Sequence, residues 1–336
     1  MLNKVAFSIL ISLLFSTSLL GQKIYSKIDT VSQKAWADSV FKSMTPEERL
    51  GQLFMVAAYS NRDEAHYAEI DSLISKYNIG GLIFFQGGAG RQAHLTNRYQ
   101  AKAKVPLAIA MDAEWGIGMR LDSIMDFPKQ MTLGAIQDNR LIYEMGKEVA
   151  NQFKQLNMHI NFAPVVDVNV NPKNPVIGYR SFGENKFNVA EKGVAYMKGM
   201  QDFGIMANAK HFPGHGDTDV DSHADLPVIN HSKERMNDIE LYPFKALMKD
   251  SLMSVMVAHL QIPAYDSREK TPTTLSQKVV TDLLKNELGF DGLAFTDAMN
   301  MQGVAKYYEP GEADVRALMA GNDIILYPVD VAKGID

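Results

Sequence analysis

Short, almost wholly apolar runs alternate with longer segments of helical period along most of the chain. Such runs are typical of strands covered on both faces, and the longer segments repeat apolar residues three or four positions apart. The pattern predicts eight strands, at residues 53–59, 81–85, 107–111, 159–163, 204–209, 254–259, 292–297 and 323–326. It predicts intervening helices at residues 63–77, 92–103, 139–156, 187–203, 234–249, 277–288 and 312–320.

This sustained alternation predicts a parallel α/β fold. Eight units favour a (β/α)8 barrel, the TIM-barrel fold, over an open doubly wound sheet. The open sheet remains an alternative on the pattern alone, although the first strand is not followed by a glycine-rich phosphate-binding turn. Before that strand, Thr45-Pro46-Glu47-Glu48 has the sequence of a capping box with proline at the first helical position, which predicts a short helix.

Composition limits the class of protein. The chain has 336 residues, a formal net charge of −5 and no cysteine, which suits one large domain or two small ones. The acidic balance gives no support for a nucleic-acid partner. The lack of cysteine excludes disulfides and thiol chemistry, and we expect no cofactor.

The N-terminus differs from the rest of the chain. Lys4 precedes an apolar run at residues 5–20, and Gly21 and Gln22 follow. This predicts a signal peptide at residues 1–21, removed on export, and a periplasmic or secreted protein without stable membrane insertion. An uncleaved anchor is the alternative, although the run is short for a membrane span.

The remaining chain is interpreted as a lead-in at residues 22–44 and a barrel domain at residues 45–336. The sequence stops ten residues after the eighth predicted strand, where a closed barrel needs an eighth helix. We therefore expect a fragment of a longer protein, and an additional C-terminal domain is left open.

Residues 209–225 hold the densest group of reactive side chains. They read Ala-Lys-His-Phe-Pro-Gly-His-Gly-Asp-Thr-Asp-Val-Asp-Ser-His-Ala-Asp. Because unpaired polar groups are costly to bury, this sequence is not that of a buried core segment, and a solvated loop seldom concentrates this many histidines. We therefore expect reactive side chains where the fifth strand ends and a long loop begins. A metal site and an ordinary polar loop are alternatives. Catalysis and substrate binding without a metal are favoured, since the chain lacks cysteine and a His-Glu-x-x-His helix.

Polar side chains also gather at the ends of other predicted strands. Barrel enzymes build their sites on this C-terminal face, from several strands at once, so the gathering predicts one site. Carboxylates that accept and cations that donate hydrogen bonds suit the hydroxyls of a sugar. The residues are Asp112, Glu114 and Arg120 after the third strand, Asn161 in and Asp167 after the fourth, Lys210 and His211 after the fifth, His259 at the sixth and Asp297 at the seventh, with Arg180 a further donor.

Two residues are candidates for the chemistry. Asp297 directly follows an apolar strand and is a candidate nucleophile toward an anomeric carbon, with a helix N-cap as the alternative. His223 follows Asp221 by two residues. A carboxylate at this spacing can fix the histidine tautomer and stabilise the imidazolium, so His223 is a candidate acid and base. A surface histidine is the alternative.

From Thr45 to Leu326 the chain resembles glycoside hydrolase family 3, in particular its β-N-acetylglucosaminidase (NagZ-like) branch. The matching motifs are residues 210–218 with 221–223, residues 174–183 and residues 295–299. The resemblance implies a two-step retaining mechanism, with Asp297 as nucleophile and His223 as acid/base assisted by Asp221. It also implies that five residues hold the sugar, namely Asp112, Arg120, Arg180, Lys210 and His211.

The resemblance implies an exo-acting hydrolase that removes terminal β-linked N-acetylglucosamine, or another N-acetylhexosamine, from peptidoglycan fragments or oligosaccharides. A β-glucosidase or other β-hexosidase of the family and a non-catalytic sugar-binding barrel are the alternatives. The Asp221-Ser222-His223 loop favours the first. The chain departs from the NagZ-like pattern at Trp115-Gly116-Ile117, where that pattern has two glycines and an arginine, although Arg120 keeps its spacing.

Overall fold

The computed structural model describes residues 30–222 and 225–336. The chain divides into two units, Met1–Ser39 and Val40–Asp336. A helix, Thr30–Ser43, covers the described part of the first unit and the first residues of the second. The predicted signal peptide lies outside the described residues. In the parts of the chain that are described, no helix is both long and apolar enough to cross a lipid bilayer.

The described residues form eight parallel strands, namely β1 Phe54–Ala58, β2 Gly81–Phe84, β3 Ala108–Met111, β4 Ile160–Asn161, β5 Met206–Phe212, β6 Ser254–Val257, β7 Leu293–Thr296 and β8 Ile325–Leu326. They pair in one sheet in the order β8-β1-β2-β3-β4-β5-β6-β7. Phe295 in β7 also forms a parallel bridge with Ile324, next to β8, so the sheet closes on itself. The predicted (β/α)8 barrel is confirmed and the open sheet is wrong.

The strands bury both faces. Side chains on one face pack against the surrounding helices, as Phe54 and Ala58 of β1 do. The alternate residues form a separate small core inside the barrel, made of Met55, Ala57, Ile83, Ala110, Ile160, Phe162, Met256, Phe295 and Leu326. This double burial is the reason that the strands have continuous apolar sequences.

Helices surround the sheet. They are α1 Glu64–Tyr77, α2 Ala89–Lys102, α3 Asn139–Gln155, α4 Lys186–Gln201, α5 Leu241–Lys249, the π-helix α6 Lys278–Glu287, α7 Glu312–Ala320 and α8 Val331–Ile335. Asp63, Asp138 and Asn185 cap the N-termini of α1, α3 and α4 by accepting from backbone N–H groups. The predicted capping box is also confirmed, since Thr45 and Glu48 exchange hydrogen bonds at the start of helix Pro46–Gly51.

One predicted helix is wrong in its extent. Residues 234–249 form two helices, Lys233–Asp238 and α5, which are separated at Ile239 and Glu240. Pro243 explains the break, because a proline ring clashes with the carbonyl four residues earlier, which here belongs to Ile239.

Some short elements were not predicted, because a few residues carry no periodic signal. They include helices Gln130–Gly134 and Gln302–Ala305, and the paired strands Gly87–Gly88 and Leu121–Asp122.

The register aligns the strand ends. Phe84, Met111 and Asn161 are paired neighbours in β2, β3 and β4. The residues that follow these strands therefore emerge on one rim of the barrel, where parallel strands of a barrel place their functional side chains.

Candidate active site

A cavity of about 320 Å³ opens at the C-terminal ends of the strands. Ile83, Met256 and Leu326 of the inner core line it, together with Phe85 and Tyr327. Its charged wall contains Asp297 and all five predicted sugar-binding residues, Asp112, Arg120, Arg180, Lys210 and His211.

A larger groove, of about 920 Å³, lies between α1 and the segment after β8. Among the described residues, Tyr327 is the one that lines both the groove and the cavity, and the groove contains none of the predicted site residues. We therefore assign the site to the smaller cavity.

Strand β5 extends further than predicted. It continues through Lys210 and His211 to Phe212, and all three side chains are buried. His215 and Thr218 in the following loop are buried as well. The expectation that this polar segment cannot be buried is wrong for residues 210–216 and 218, because other strands and the loop itself supply hydrogen-bonding partners that compensate for burial. Residues 219 and 220 of the same loop are exposed.

Lys210 joins two carboxylates from the end of β3. Its Nζ lies 2.7 Å from Asp112 Oδ1 and 2.9 Å from Glu114 Oε1. Arg120 Nη2 lies 3.1 Å from Asp112 Oδ2, and Arg180 Nη2 lies 2.7 Å from Glu114 Oε1. Two anions thus alternate with three cations along the cavity wall.

Both carboxylates of this network are ionised. Burial alone would raise the pKa of Asp112, but the charges of Lys210 and Arg120 outweigh it and hold that pKa below its ordinary value. Burial likewise acts to raise the pKa of Glu114, but the charges of Arg180 and Lys210 outweigh it and hold that pKa below its ordinary value. Asp112 and Glu114 therefore act as acceptors, beside cations that can act only as donors.

Asp167 bonds to two residues at the end of β5 and in the turn that follows it, His211 and His215. This fully buried carboxylate accepts from the backbone N–H of His215 at 2.7 Å, and it lies 2.7 Å from His211 Nδ1. His211 Nε2 lies 3.2 Å from Arg180 Nη2. Because a guanidinium can only donate, this contact assigns the proton of His211 to Nδ1, which donates to Asp167.

His215 holds the next part of the loop. Its Nε2 lies 3.0 Å from Ser222 Oγ, and its Nδ1 lies 2.9 Å from Thr218 Oγ1. Burial, with the neighbouring His211, lowers the pKa of His215 to about 4. The ring is therefore neutral at pH 7 and acts as a hydrogen-bonding anchor.

Asp297 lies directly after β7. Its backbone N–H donates to Val257 O at 2.9 Å, and its Oδ1 accepts from the N–H of Ala298 at 2.8 Å. The next described helix, Gln302–Ala305, has Met301 at its N-cap position. The N-cap interpretation of Asp297 is therefore wrong.

The predicted pair of Asp221 and His223 is described only in part. Asp221 is half-buried in the loop after β5, and its carbonyl accepts from the N–H of Asp225 at 3.0 Å. His223 lies outside the described residues, so its pairing with Asp221 stays a prediction.

The sequence analysis placed Glu114 and Asp167 among the strand-end residues and His215 in the loop after β5, but it gave none of the three an individual role. The signal for Glu114 was its position two residues after Asp112, in an otherwise apolar strand end. The roles of Asp167 and His215 depend on contacts between strands that spacing does not reveal.

Within the described residues, one group of side chains has atoms close enough to hold a metal ion. Ligand atoms of Asp217, His231 and Glu240 all lie within 4.8 Å of one another. Arg235 already lies among them, with Nη1 2.6 Å from Glu240 and Nη2 3.7 Å from Asp217. Since this guanidinium compensates the carboxylates, we assign the group to anchoring the loop.

The closed parallel barrel and the charged cavity at its strand ends are the features of a (β/α)8-barrel enzyme. Comparison with known families is more specific. Residues 45–336 match the family described as the glycosyl hydrolase family 3 N terminal domain. The chain belongs to glycosyl hydrolase family 3, which confirms the resemblance inferred from its motifs.

Named relatives align with most of this chain. Beta-hexosaminidase A of Pseudoalteromonas piscicida is 37% identical over 291 residues, which cover 80% of this chain and 49% of the relative. A beta-N-acetylglucosaminidase/beta-glucosidase of Cellulomonas fimi is 29% identical over 301 residues, which cover 87% of this chain and 53% of the relative. The chain therefore spans about half the length of these curated relatives.

A solved structure extends the comparison. The family 3 beta-N-acetylglucosaminidase of a Paenibacillus species is 37% identical and superposes with a TM-score of 0.80. The match covers 86% of this chain and 56% of that one.

Proposed function

We propose that the chain is the catalytic barrel of a retaining exo-β-N-acetylglucosaminidase. It would remove terminal β-linked N-acetylglucosamine, or another N-acetylhexosamine, from oligosaccharides or peptidoglycan fragments. The observation that carries the proposal is the convergence of Asp297 with a paired network of anions and cations on one cavity. The names of the hexosaminidase relatives support the choice of an amino sugar.

The cavity suits one sugar ring. Its volume of about 320 Å³ is at the low end of small-molecule sites, which span roughly 300–1,000 Å³. A sugar hydroxyl both donates and accepts, so it can bridge a carboxylate such as Asp112 and a cation such as Lys210. A cavity for one terminal residue supports exo action.

The proposed reaction has two steps. In the first, a carboxylate oxygen of Asp297 attacks the anomeric carbon while an acid protonates the departing glycosidic oxygen, which gives a covalent glycosyl-enzyme. In the second, the same group takes a proton from water, and the water attacks the anomeric carbon and releases Asp297. We assign the acid/base role to His223, with Asp221 as the charge that stabilises its imidazolium.

A β-glucosidase is the second candidate. The Cellulomonas fimi relative carries both activities in its name. Trp115 also stands where the NagZ-like pattern has glycine. This difference is consistent with a preference for another sugar or another aglycone than N-acetylglucosaminides of the NagZ type.

We further propose that residues 1–21 direct export and that the substrate is met outside the cytoplasm. The charged and then apolar sequence supports this. Mass spectrometry of the protein from its native host should find a start near Gln22, and a mature protein that begins at Met1 would contradict export by cleavage.

The test is a panel of aryl β-glycosides that differ only at C2, measured on the full chain. We expect the 2-acetamido sugar to have the highest kcat/KM. Asp297→Ala should lower turnover on the order of 10⁴–10⁶-fold, as loss of a nucleophile does elsewhere. Asp291→Ala, at an exposed aspartate just before β7, is the matched control and should keep full activity.

Two outcomes would contradict the proposal. Equal or faster turnover of the 2-hydroxy sugar would favour the β-glucosidase. Full activity of Asp297→Ala would exclude its role as the nucleophile.

A further inference from the structure

We propose that Asp225, Lys306 and Tyr307 form a clamp that positions the acid/base loop relative to Asp297. The inference rests on the proposed function, because it concerns the loop that carries Asp221 and His223. The three clamp residues are positioning residues rather than groups that contact the sugar.

Asp225 is held by two consecutive residues of another segment. Its Oδ2 lies 2.8 Å from Lys306 Nζ, and its Oδ1 accepts from the Tyr307 hydroxyl at 2.7 Å. These donors hold the pKa of Asp225 below its ordinary value, so the carboxylate is ionised at neutral pH. Oδ1 also accepts from the N–H of Leu226 at 2.9 Å. Each oxygen thus bonds to one residue of the segment that contains Lys306 and Tyr307.

Ser222 is anchored to that segment as well. Its carbonyl accepts from the N–H of Gly303 at 3.2 Å, and its hydroxyl lies 3.0 Å from His215 Nε2. A Cβ on Gly303 would lie 3.2 Å from Ser222 O and 3.5 Å from Asp225 O. The absence of a side chain at Gly303 therefore permits this close approach. Ser222 and Asp225 are the described residues on either side of positions 223 and 224, and both are held by the segment that contains Gly303.

The segment that provides these anchors begins at the proposed nucleophile. Asp297 is tied to the barrel by its N–H bond to Val257 O at 2.9 Å, and Met299 N–H donates to Leu326 O at 3.0 Å. Gly303, Lys306 and Tyr307 follow within ten residues of Asp297. The clamp therefore links the acid/base loop by hydrogen bonds to the stretch of chain that contains the proposed nucleophile.

This connection matters because the two groups must act on opposite ends of one scissile bond. A misplacement of about 1 Å in a catalytic geometry can cost on the order of 10²-fold in rate. The clamp itself contributes little to global stability, since Asp225 and Lys306 are 42% and 48% exposed and exposed ion pairs stabilise weakly. Its loss should therefore affect rate more than folding.

The test compares Asp225→Asn, Lys306→Met and Tyr307→Phe with the wild-type protein on two substrates. One is a disaccharide, whose leaving group needs protonation, and the other is a dinitrophenyl glycoside, whose leaving group does not. Tyr308→Phe is the matched control, because Tyr308 is the adjacent tyrosine and its hydroxyl donates to Lys270 O at 3.1 Å instead. Thermal midpoints are recorded for every variant.

We expect each clamp variant to slow the disaccharide by roughly 10–100-fold and to change the first step with the dinitrophenyl glycoside by less than about 2-fold. The Asp225→Asn and Tyr307→Phe losses should be less than multiplicative in the double variant, because the two residues share one contact. Tyr308→Phe should match the wild-type protein on both substrates. Thermal midpoints should stay close to the wild-type value.

Several results would overturn the clamp. An equal loss on both substrates, or unchanged rates in all three variants, would exclude a role in positioning the acid. If His223→Ala discriminates between the leaving groups and the clamp variants do not, the proposed function stands and the clamp fails. If the wild-type protein cleaves no β-glycoside, both are overturned.

Discussion

Replacing Glu114 with glutamine tests whether the charged wall of the cavity is one interdependent network. The Glu114 carboxylate is 1% exposed and lies 2.7 Å from Arg180 Nη2 and 2.9 Å from Lys210 Nζ. Glutamine keeps the shape but loses the charge. Arg180 Nη2 and Lys210 Nζ both contact Oε1, and Arg180 Nε lies 3.0 Å from Oε2, so the amide N–H₂ of glutamine faces a cation in either orientation. The variant therefore leaves the Arg180 guanidinium without its carboxylate partner.

The expected loss follows from the partners that remain. Removing one member of a buried ion pair typically costs about 3–5 kcal/mol. Lys210 keeps Asp112, and Arg180 is 17% exposed, so we expect a decrease of about 3 kcal/mol in the free energy of unfolding. Arg180 also holds His211. A lost charged hydrogen bond is worth about 1.5–3 kcal/mol, so kcat/KM should fall on the order of 10²-fold.

Urea unfolding followed by circular dichroism measures the first quantity, and hydrolysis of a 2-acetamido aryl glycoside measures the second. The matched control is Glu144→Gln, whose carboxylate is 59% exposed and lies 3.2 Å from Lys147. It should change stability by less than about 1 kcal/mol and leave activity unchanged. If Glu114→Gln behaved like this control, the interdependence of the network would be refuted.

Two further predictions concern protons. His223→Ala should slow cleavage of a disaccharide by about 10²–10⁴-fold while sparing the first step with a dinitrophenyl glycoside, and Asp221→Asn should act in the same direction. Equal loss on leaving groups of different pKa would show that His223 is not the acid. Burial raises the pKa of Asp314 from 3.8 to about 6. Between these two pKa values the folded state binds more protons than the unfolded state. The free energy of unfolding should therefore decrease by up to about 3 kcal/mol as the pH rises from 3.8 to about 6. Urea unfolding of Asp314→Asn should lack this decrease relative to the wild-type protein, and an identical pH profile would contradict it.

The barrel could be predicted because the sequence of each strand reflects how the strand is buried. Burial on both faces leaves a continuous apolar run, and that run is local in the sequence. The break before α5 was missed although its cause is in the sequence, since Pro243 disfavours a continuous helix through Ile239. The short helix Gln302–Ala305, in contrast, contains too few residues for a period to appear.

The site was predictable in its residue types but not in its pairing. Lys210 is buried because it meets Asp112, 98 positions earlier in the chain. Asp167 accepts from His211 and His215, more than forty positions later. A polar segment therefore looks solvated when its partners lie on other strands, and this is why the extent of β5 was misjudged.

The central claim is that the sugar is transferred to Asp297 and then to water. Proton NMR tests it most directly, by following hydrolysis of an aryl β-glycoside and recording the first product before mutarotation. Two displacements at the anomeric carbon restore the original configuration, so the account predicts that the β anomer appears first. Initial formation of the α anomer would contradict the covalent intermediate.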